Sequence, residues 1–200
     1  MSVMKQVRQY VSRLPKGKPV PTASFMKFGT RAAVDQALSR LVKEGYLTRV
    51  GRGLYVRPKV SPYVGEVPPR IMEVVKAKAG TATVQINGAE AVRKLGLSTQ
   101  VATKAIFLTN GPSRHFNVGE LEVTLKHVAS RKLLLAGRPA GLAISAFWYL
   151  GKNELNAEIV EKVRAFLPPE EFAALKNELP SMPIWMQNVV LENERVHLNA

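Results

Sequence analysis

The sequence contains no cysteine, which excludes disulfide bonds, thiol nucleophiles and thiolate-bound metal sites. It also lacks a run of about 18 apolar residues, so no segment is predicted to span a membrane. The stretch from Met1 to Lys5 turns polar at once and lacks the apolar run of a secretory signal, so we expect a cytoplasmic protein. Hydrophobic residues still make up 46% of the 200 positions, which is enough to build hydrophobic cores in one large domain or two small ones.

Acidic residues are scarce in the first sixty positions, which hold 13 Lys and Arg but only two acids. This segment therefore carries +11 of the net charge of +14. The remaining 140 residues are nearly balanced, with 16 basic and 13 acidic groups. Charge concentrated in this way repels itself within a compact domain, so it favours a polyanion such as nucleic acid as the partner.

The same sixty residues have the pattern of three helices followed by a hairpin. Apolar residues at helical spacing predict a first helix over about residues 3–14. Thr22 and Thr30 are placed to cap a short second helix and a third helix that runs from Arg31 to Glu44. Two short strands then flank the turn Gly51-Arg52-Gly53. This order is typical of a winged helix-turn-helix.

The rest of the chain alternates between helical and extended patterns. Residues 61–69 are rich in proline and are predicted to form a semi-rigid linker. Beyond them the spacing predicts helices near 71–75 and 89–95, an extended segment at 80–84, strands at 105–108, 114–118 and 121–125, and helices at 142–150, 157–167, 169–179 and 183–191. We therefore predict an α+β protein, with a winged helix-turn-helix at residues 1–60 and a mixed α+β domain at residues 70–200 that ends in helices.

The third predicted helix has one apolar face and one polar face. Arg31 and Gln36 are the expected base readers, because Arg pairs with guanine and Gln with adenine in the major groove. Ala32 would allow close approach to the bases, and Asp35 would either orient a neighbouring arginine or accept a hydrogen bond from cytosine. The side chains expected to contact the DNA backbone, from the helix or from the hairpin, are Thr30, Ser39, Arg40, Lys43, Arg49, Arg52 and Arg57. Of these, Arg52 at the hairpin tip is also a minor-groove candidate.

Two polar segments of the second domain form a further candidate surface. The first, residues 98–100, follows a predicted helix, and the second, residues 109–114, forms the turn after a predicted strand. If the two segments face each other, they could bind a phosphate or the end of an RNA, through Ser98, Thr99, Gln100, Asn110, Ser113 and Arg114. The alternative interpretation is two ordinary capped turns.

Patterns typical of catalysis are missing from the sequence. The three histidines are scattered, and no carboxylate pair accompanies them at metal-ligand spacing. Gly51 and Gly53 belong to a predicted hairpin and do not precede a helix, so they do not form a phosphate-cradling loop. We therefore expect no enzymatic activity, no metal and no cofactor. Trp148 and Trp185 each lie among apolar neighbours and are interpreted as core or interface residues.

Two adjoining segments resemble a known family. Residues 88–101 (GAEAVRKLGLSTQV) and 104–114 (KAIFLTNGPSR) are similar to the smaller AbiEi-type antitoxins of type IV toxin-antitoxin systems. The basic segment ending in Arg52-Gly53-Leu54-Tyr55 is also similar, and the resemblance covers about residues 3–150. It implies a transcriptional repressor that binds inverted repeats in its own promoter. It also implies a nucleotidyltransferase-like toxin, which the antitoxin opposes through its C-terminal domain without forming a tight complex.

Two alternatives to a DNA-binding repressor stay open. One is an RNA- or tRNA-binding module that shields the substrate of a toxin, although the chain has no aromatic-rich strand on which bases would stack. The other is an adaptor whose C-terminal domain docks a protein. A basic helix face can also be a solvated face alone, so the prediction of DNA binding depends on charge, helix order and hairpin together.

Overall fold

The computed structural model describes residues 2–100 and 104–198. The chain forms two compact units. The first comprises residues 1–80 together with 116–122, and the second comprises residues 81–115 and 123–200. None of the described helices is long and apolar enough to cross a membrane.

Residues 2–80 of the first unit form three helices, a 3-10 helix and five short strands. Its elements are α1 (Val3–Arg13), β1 (Pro19–Pro21), a 3-10 helix (Thr22–Phe28), α2 (Arg31–Lys43), β2 (Thr48–Gly51), β3 (Leu54–Val56), β4 (Val60–Ser61), β5 (Gly65–Glu66) and α3 (Ile71–Ala79). Strands β1, β3 and β2 form an antiparallel sheet in that order. The predicted helices and hairpin are thus confirmed, except that the second helix is a 3-10 helix.

The proline-rich segment predicted as a linker contains regular structure. Strands β4 and β5 pair as an antiparallel hairpin, with Val60 opposite Glu66. The Val67 N–H donates to the Lys59 carbonyl at 2.7 Å, and the Thr48 hydroxyl donates to Glu66 at 2.6 Å. These bonds hold residues 61–69 within the first unit, whereas the proline content predicts a semi-rigid linker between two domains.

The core of the first unit joins α1, the 3-10 helix and α2. Val7 and Val11 are buried on α1, and Phe25 is buried on the 3-10 helix, where its ring packs edge-to-face with Tyr10 at 5.5 Å. Helical spacing predicts an inward face of α2 made of Val34, Ala37, Leu38 and Leu41, with Val42 at its edge. The first four are buried and Val42 is half-buried. The opposite face of α2 therefore points to solvent.

The second unit combines a four-stranded sheet with a group of helices. Its elements are β6 (Val84–Ile86), α4 (Gly88–Lys94), β7 (Ala105–Thr109), β8 (Arg114–Val118), β9 (Leu121–His127), a 3-10 helix (Ser130–Lys132), α5 (Pro139–Glu154), α6 (Ala157–Phe166), α7 (Pro169–Asn177), a second 3-10 helix (Leu179–Ser181) and α8 (Ile184–Leu198). Residues 116–122, the turn between β8 and β9 and the strand ends next to it, group with the first unit. The chain is a mixed α+β protein, as predicted, although the strand expected near 80–84 starts only at Val84.

The sheet order is β6-β7-β9-β8, and β7 and β9 run parallel. Helix α5 is the central helix of this unit and packs against α4, α7, α8 and β6. Its residues Ala140, Ile144 and Phe147 are fully buried. The parallel register places Thr109 of β7 beside His127 of β9, so both strands end at the same edge of the sheet.

Candidate nucleic-acid interface

The exposed face of α2 carries most of the side chains predicted to contact DNA. Apolar residues at every third or fourth position are buried, so the residues between them are left in solvent. The exposed residues are Arg31, Ala32, Asp35, Gln36, Ser39, Arg40 and Lys43. The helical spacing therefore predicted this face correctly.

An ion pair organises the N-terminal end of this face. Arg31 Nε donates to Asp35 Oδ2 at 2.8 Å, one helical turn away, and the two side chains are 68% and 48% exposed. Exposed pairs of this spacing are worth only about 0.3–0.5 kcal/mol, so Arg31 can exchange Asp35 for another partner at small cost. Asp35 thus orients a neighbouring arginine, which is one of the two roles predicted for it.

The middle and C-terminal parts of the face are unobstructed. The side chains of Gln36, Arg40 and Lys43 make no hydrogen bond or ion pair with another residue in the described part of the chain. Gln36 and Arg40 also border a shallow cavity of about 140 Å³, next to Val3 and Met4 of α1. A long, exposed and uncommitted side chain is available to a ligand without first breaking an internal contact.

The turn between β2 and β3 presents a cation on an anchored backbone. Arg52 and Gly53 form the turn, and Gly53 has a φ of 68°, a left-handed conformation that glycine adopts without strain. The Lys78 ammonium donates a hydrogen bond to the Arg52 carbonyl. The Arg52 side chain itself is exposed. Lys78 therefore holds the backbone of the turn, while the Arg52 guanidinium points away from the core.

Thr30 and Arg49 flank these two elements. Thr30 is the N-cap of α2, and its hydroxyl accepts a hydrogen bond from the Ala33 N–H at 3.4 Å. Arg49 lies exposed on β2, opposite Tyr55 of β3. Thr30 therefore has a structural function at the helix start, whereas Arg49 adds to the exposed positive charge.

Arg57 is committed to the fold. Its Nη1 donates to the carbonyls of Ser12, at 2.7 Å, and Leu14, at 3.2 Å. The last carbonyls of a helix have no partner within the helix, so these bonds satisfy acceptors at the end of α1. Arg57 is accordingly half-buried. This capping role arises from a contact over more than forty residues, and no local pattern indicates it.

The two acids of the first sixty residues are already paired with arginines. Asp35 binds Arg31, and Glu44 lies 3.8 Å from Arg8. Arg8 also donates to the Tyr46 hydroxyl and stacks over the ring of Tyr46 at 4.2 Å. The remaining cations of this segment are not offset by carboxylates within it, so the segment keeps its net charge of +11.

Comparison with protein families matches residues 6–175 to DUF6088, a family of unknown function. The chain belongs to the DUF6088 family. The matched region starts within α1 and ends within α7, so it includes elements of both compact units. Comparisons with curated proteins and with solved structures gave no significant match.

The second polar surface predicted for this DUF6088 chain is partly engaged in internal hydrogen bonds. Three of its side chains accept hydrogen bonds from backbone N–H groups: Ser98 from Gln100 (3.1 Å), Asn110 from Thr83 (2.9 Å) and Ser113 from His127 (2.9 Å). Thr99, Gln100 and Arg114 are exposed. Only the Ser98 bond lies within a single turn, whereas the Asn110 and Ser113 bonds join segments 27 and 14 residues apart. A shared phosphate or RNA surface stays a prediction.

Proposed function

We propose that the first unit binds double-stranded DNA, with the exposed face of α2 in the major groove. The order α1, β1, 3-10 helix, α2, β2, β3 and the strand order β1-β3-β2 support a winged helix-turn-helix in which α2 is the recognition helix. The observation that carries the proposal is the face of α2 itself, which is basic, polar and exposed, while the opposite face forms the core.

In this arrangement, each part of α2 has a distinct task. A helix with its side chains is about 10–12 Å wide and fits the major groove, which is about 12 Å wide. Arg31 and Gln36 lie toward the N-terminal half and read base edges, and the Asp35 carboxylate holds Arg31 in position. Arg40 and Lys43 lie in the last turn and contact phosphates.

The Arg52 turn adds a second point of contact. Its backbone is held by Lys78, so the guanidinium projects from a defined position. A cation presented in this way binds a phosphate, or enters a narrow minor groove, with less loss of conformational freedom than one on a free loop. Arg49 lies on β2, three residues before Arg52, and adds to the positive electrostatic potential near the turn.

The biological role that we propose is that of a cytoplasmic transcriptional repressor of antitoxin type. The support for this role is the resemblance of residues 88–114 and of the basic N-terminal segment to AbiEi-type antitoxins. Such a protein binds inverted repeats in its own promoter and opposes a nucleotidyltransferase-like toxin without a tight complex. The proposal assigns no enzymatic reaction to this chain.

Fluorescence anisotropy with three labelled ligands tests the proposal. The ligands are a duplex of the gene's own upstream region, a scrambled duplex and a single-stranded RNA of the same sequence. We expect the upstream duplex to bind most tightly, since base contacts add to the phosphate contacts. Tightest binding to RNA would support the RNA module instead, and no binding to any of the three would refute the proposal.

A matched pair of variants separates a local contact from general charge. Lys43→Ala removes an exposed cation from α2, and Lys76→Ala removes an exposed cation from α3. Both variants change the net charge by the same amount. We expect Lys43→Ala to weaken binding to both duplexes alike, and Lys76→Ala to leave the affinity within about twofold of wild type. Equal losses in the two variants would show that only net charge matters.

A further inference from the structure

The second unit contains an open cavity of about 470 Å³ between its sheet and α5. Strand β7 contributes Ile106 and Leu108, whose side chains lie on the same face because residues two apart in a strand do so. Lys126 of β9 is paired with Leu108 in the register and therefore shares this face. Trp148 and Tyr149 of α5 form the opposite wall. The volume is within the usual range for small-molecule sites, about 300–1,000 Å³.

A close backbone contact defines one wall of the cavity. Gly88 begins α4 and lines the cavity. A Cβ at Gly88 would lie 2.2 Å from the Cβ of Tyr149 and 2.7 Å from the carbonyl oxygen of Ser145. Only a residue without a side chain permits this approach of α4 to α5. Ser145 also donates to the Ile86 carbonyl at 2.8 Å, which ties α5 to the end of β6.

The charged groups of the cavity lining are all basic. They are Lys126 and Lys132, the imidazole of His127 lies beside them, and no carboxylate lines the cavity among the described residues. The His127 Nδ1 lies 2.9 Å from the Gly111 carbonyl, so this nitrogen carries the proton and the ring is held in one orientation. Residues 61–200 hold 16 basic and 13 acidic groups, so the cluster is not a by-product of a generally basic unit. The cavity is therefore suited to an anion.

Aromatic rings stand beside these cations. Lys132 Nζ lies 4.7 Å from the ring centre of Trp148, and Trp148 packs edge-to-face with Trp185 at 6.2 Å. Tyr149 is 55% exposed, so its ring is accessible to a ligand in the open cavity. Aromatic faces bind planar rings by stacking, and adjacent ammonium groups bind phosphate oxygens.

We propose that this cavity binds a nucleotide, with its base against the aromatic wall of α5 and its phosphate between Lys126 and Lys132. The lining accounts for both the base and the phosphate of the ligand. Cations alone would suit inorganic phosphate, and aromatic side chains alone would suit an uncharged aromatic compound. The size of the cavity favours a free mononucleotide. The terminal nucleotide of a strand has the same chemistry and is the other source of such a ligand.

Isothermal titration calorimetry on the full chain tests this inference with five ligands: AMP, UMP, adenosine, inorganic phosphate and a 5′-phosphorylated dinucleotide. We expect at least one mononucleotide to bind about tenfold or more tightly than either adenosine or phosphate. Tighter binding of the dinucleotide would identify a strand end as the natural source and would still support the site. No binding heat from any nucleotide at up to about 1 mM, or phosphate binding as tightly as AMP, would overturn the inference.

Lysine variants then locate the binding site within the second unit. Lys132→Ala and Lys126→Ala should each weaken nucleotide binding about tenfold, because a charge-assisted contact to the phosphate is lost. Lys152→Ala is the matched control, since this exposed lysine of α5 does not line the cavity. Trp148 lines the cavity, so the ligand should also change the tryptophan fluorescence of the wild-type chain. Unchanged affinity in both cavity variants would refute the assignment.

Discussion

Two arginines that follow one another closely in the sequence are expected to behave in opposite ways when replaced by alanine. Arg57 donates to two backbone carbonyls at the end of α1, whereas the Arg52 side chain is exposed at a turn. Arg57→Ala should therefore lower the stability of the first unit and leave the DNA affinity of the folded protein unchanged. Arg52→Ala should leave stability unchanged and weaken DNA binding.

The size of the Arg57 effect follows from its two bonds. A hydrogen bond from a charged group contributes about 1.5–3 kcal/mol when buried and less when exposed. One bond here has good length but reaches an exposed carbonyl, and the other is part-buried but 3.2 Å long. We therefore expect a loss of about 1–3 kcal/mol in the free energy of unfolding. For a unit of this size, that loss corresponds to a fall in Tm of roughly 5–15 °C.

The Arg52 effect is estimated from its exposure. Replacing an exposed side chain whose backbone stays anchored changes stability by at most about 0.5 kcal/mol. A lost phosphate or groove contact is worth roughly 1–2 kcal/mol, so the dissociation constant should rise about five- to thirtyfold on every sequence.

Thermal melting by circular dichroism and anisotropy with the upstream duplex measure the two effects on the same samples. Arg57→Lys is a useful intermediate, because lysine keeps the charge but lacks the fork of donors that reaches both carbonyls. The reasoning would be refuted if Arg57→Ala melted like the wild type, or if Arg52→Ala bound DNA with unchanged affinity.

Three further predictions concern single side chains. Gln36→Ala should reduce discrimination at one base position in a binding-site selection, and an equal loss on all sequences would make Gln36 a phosphate contact. The hydrogen bond from Lys176 holds the pKa of Glu194 below the ordinary value of 4.5. The ionised Glu194 carboxylate therefore stabilises the folded chain above pH 4.5, and this stabilisation is lost as the pH falls below 4.5. Denaturant unfolding of Glu194→Gln should accordingly depend less on pH in this acidic range, and an unaltered pH profile would contradict the role of this pair. Gly88→Ala should destabilise the chain by about 1–3 kcal/mol in the same assay, because its Cβ would clash with Tyr149, and wild-type stability would show that α4 can shift freely.

The helices of both units are predictable from the sequence, because each depends on a local repeat. The spacing of Val34, Leu38 and Leu41 defines the buried side of α2, and Thr30 marks its start. The same spacing predicts which residues of α2 are exposed, so most of the candidate DNA surface follows from sequence alone. The antitoxin role depends on the resemblance to AbiEi-type antitoxins and not on helical spacing, so it stays a prediction.

Contacts between distant segments explain what the sequence does not predict. Arg57 reaches Ser12 across 45 residues and Lys78 reaches the Arg52 carbonyl across 26, and no spacing rule connects such positions. The proline content of residues 61–69 predicts a semi-rigid linker and gives no sign that β4 pairs with β5. The cavity of the second unit draws on α4, β7, β9, the 3-10 helix Ser130–Lys132 and α5, so its basic and aromatic residues come together only once the sheet register is set.

Residues outside the DNA surface provide a check on the nucleotide inference. The cavity lies wholly within the second unit, so Lys132→Ala should not alter the affinity for the upstream duplex in the absence of nucleotide. Conversely, Arg52→Ala should not alter the heat of nucleotide binding. The two proposals therefore succeed or fail independently of each other.

The salt dependence of duplex binding tests the central claim most directly, because it counts the phosphates that the basic unit contacts. With about six phosphate contacts, a plot of log affinity against log salt concentration should have a slope near roughly −5. The double variant Arg40→Ala/Lys43→Ala should reduce the magnitude of this slope by about two. A flat salt response in the wild type, or a slope that the double variant leaves unchanged, would contradict the assignment of the exposed face of α2 to DNA.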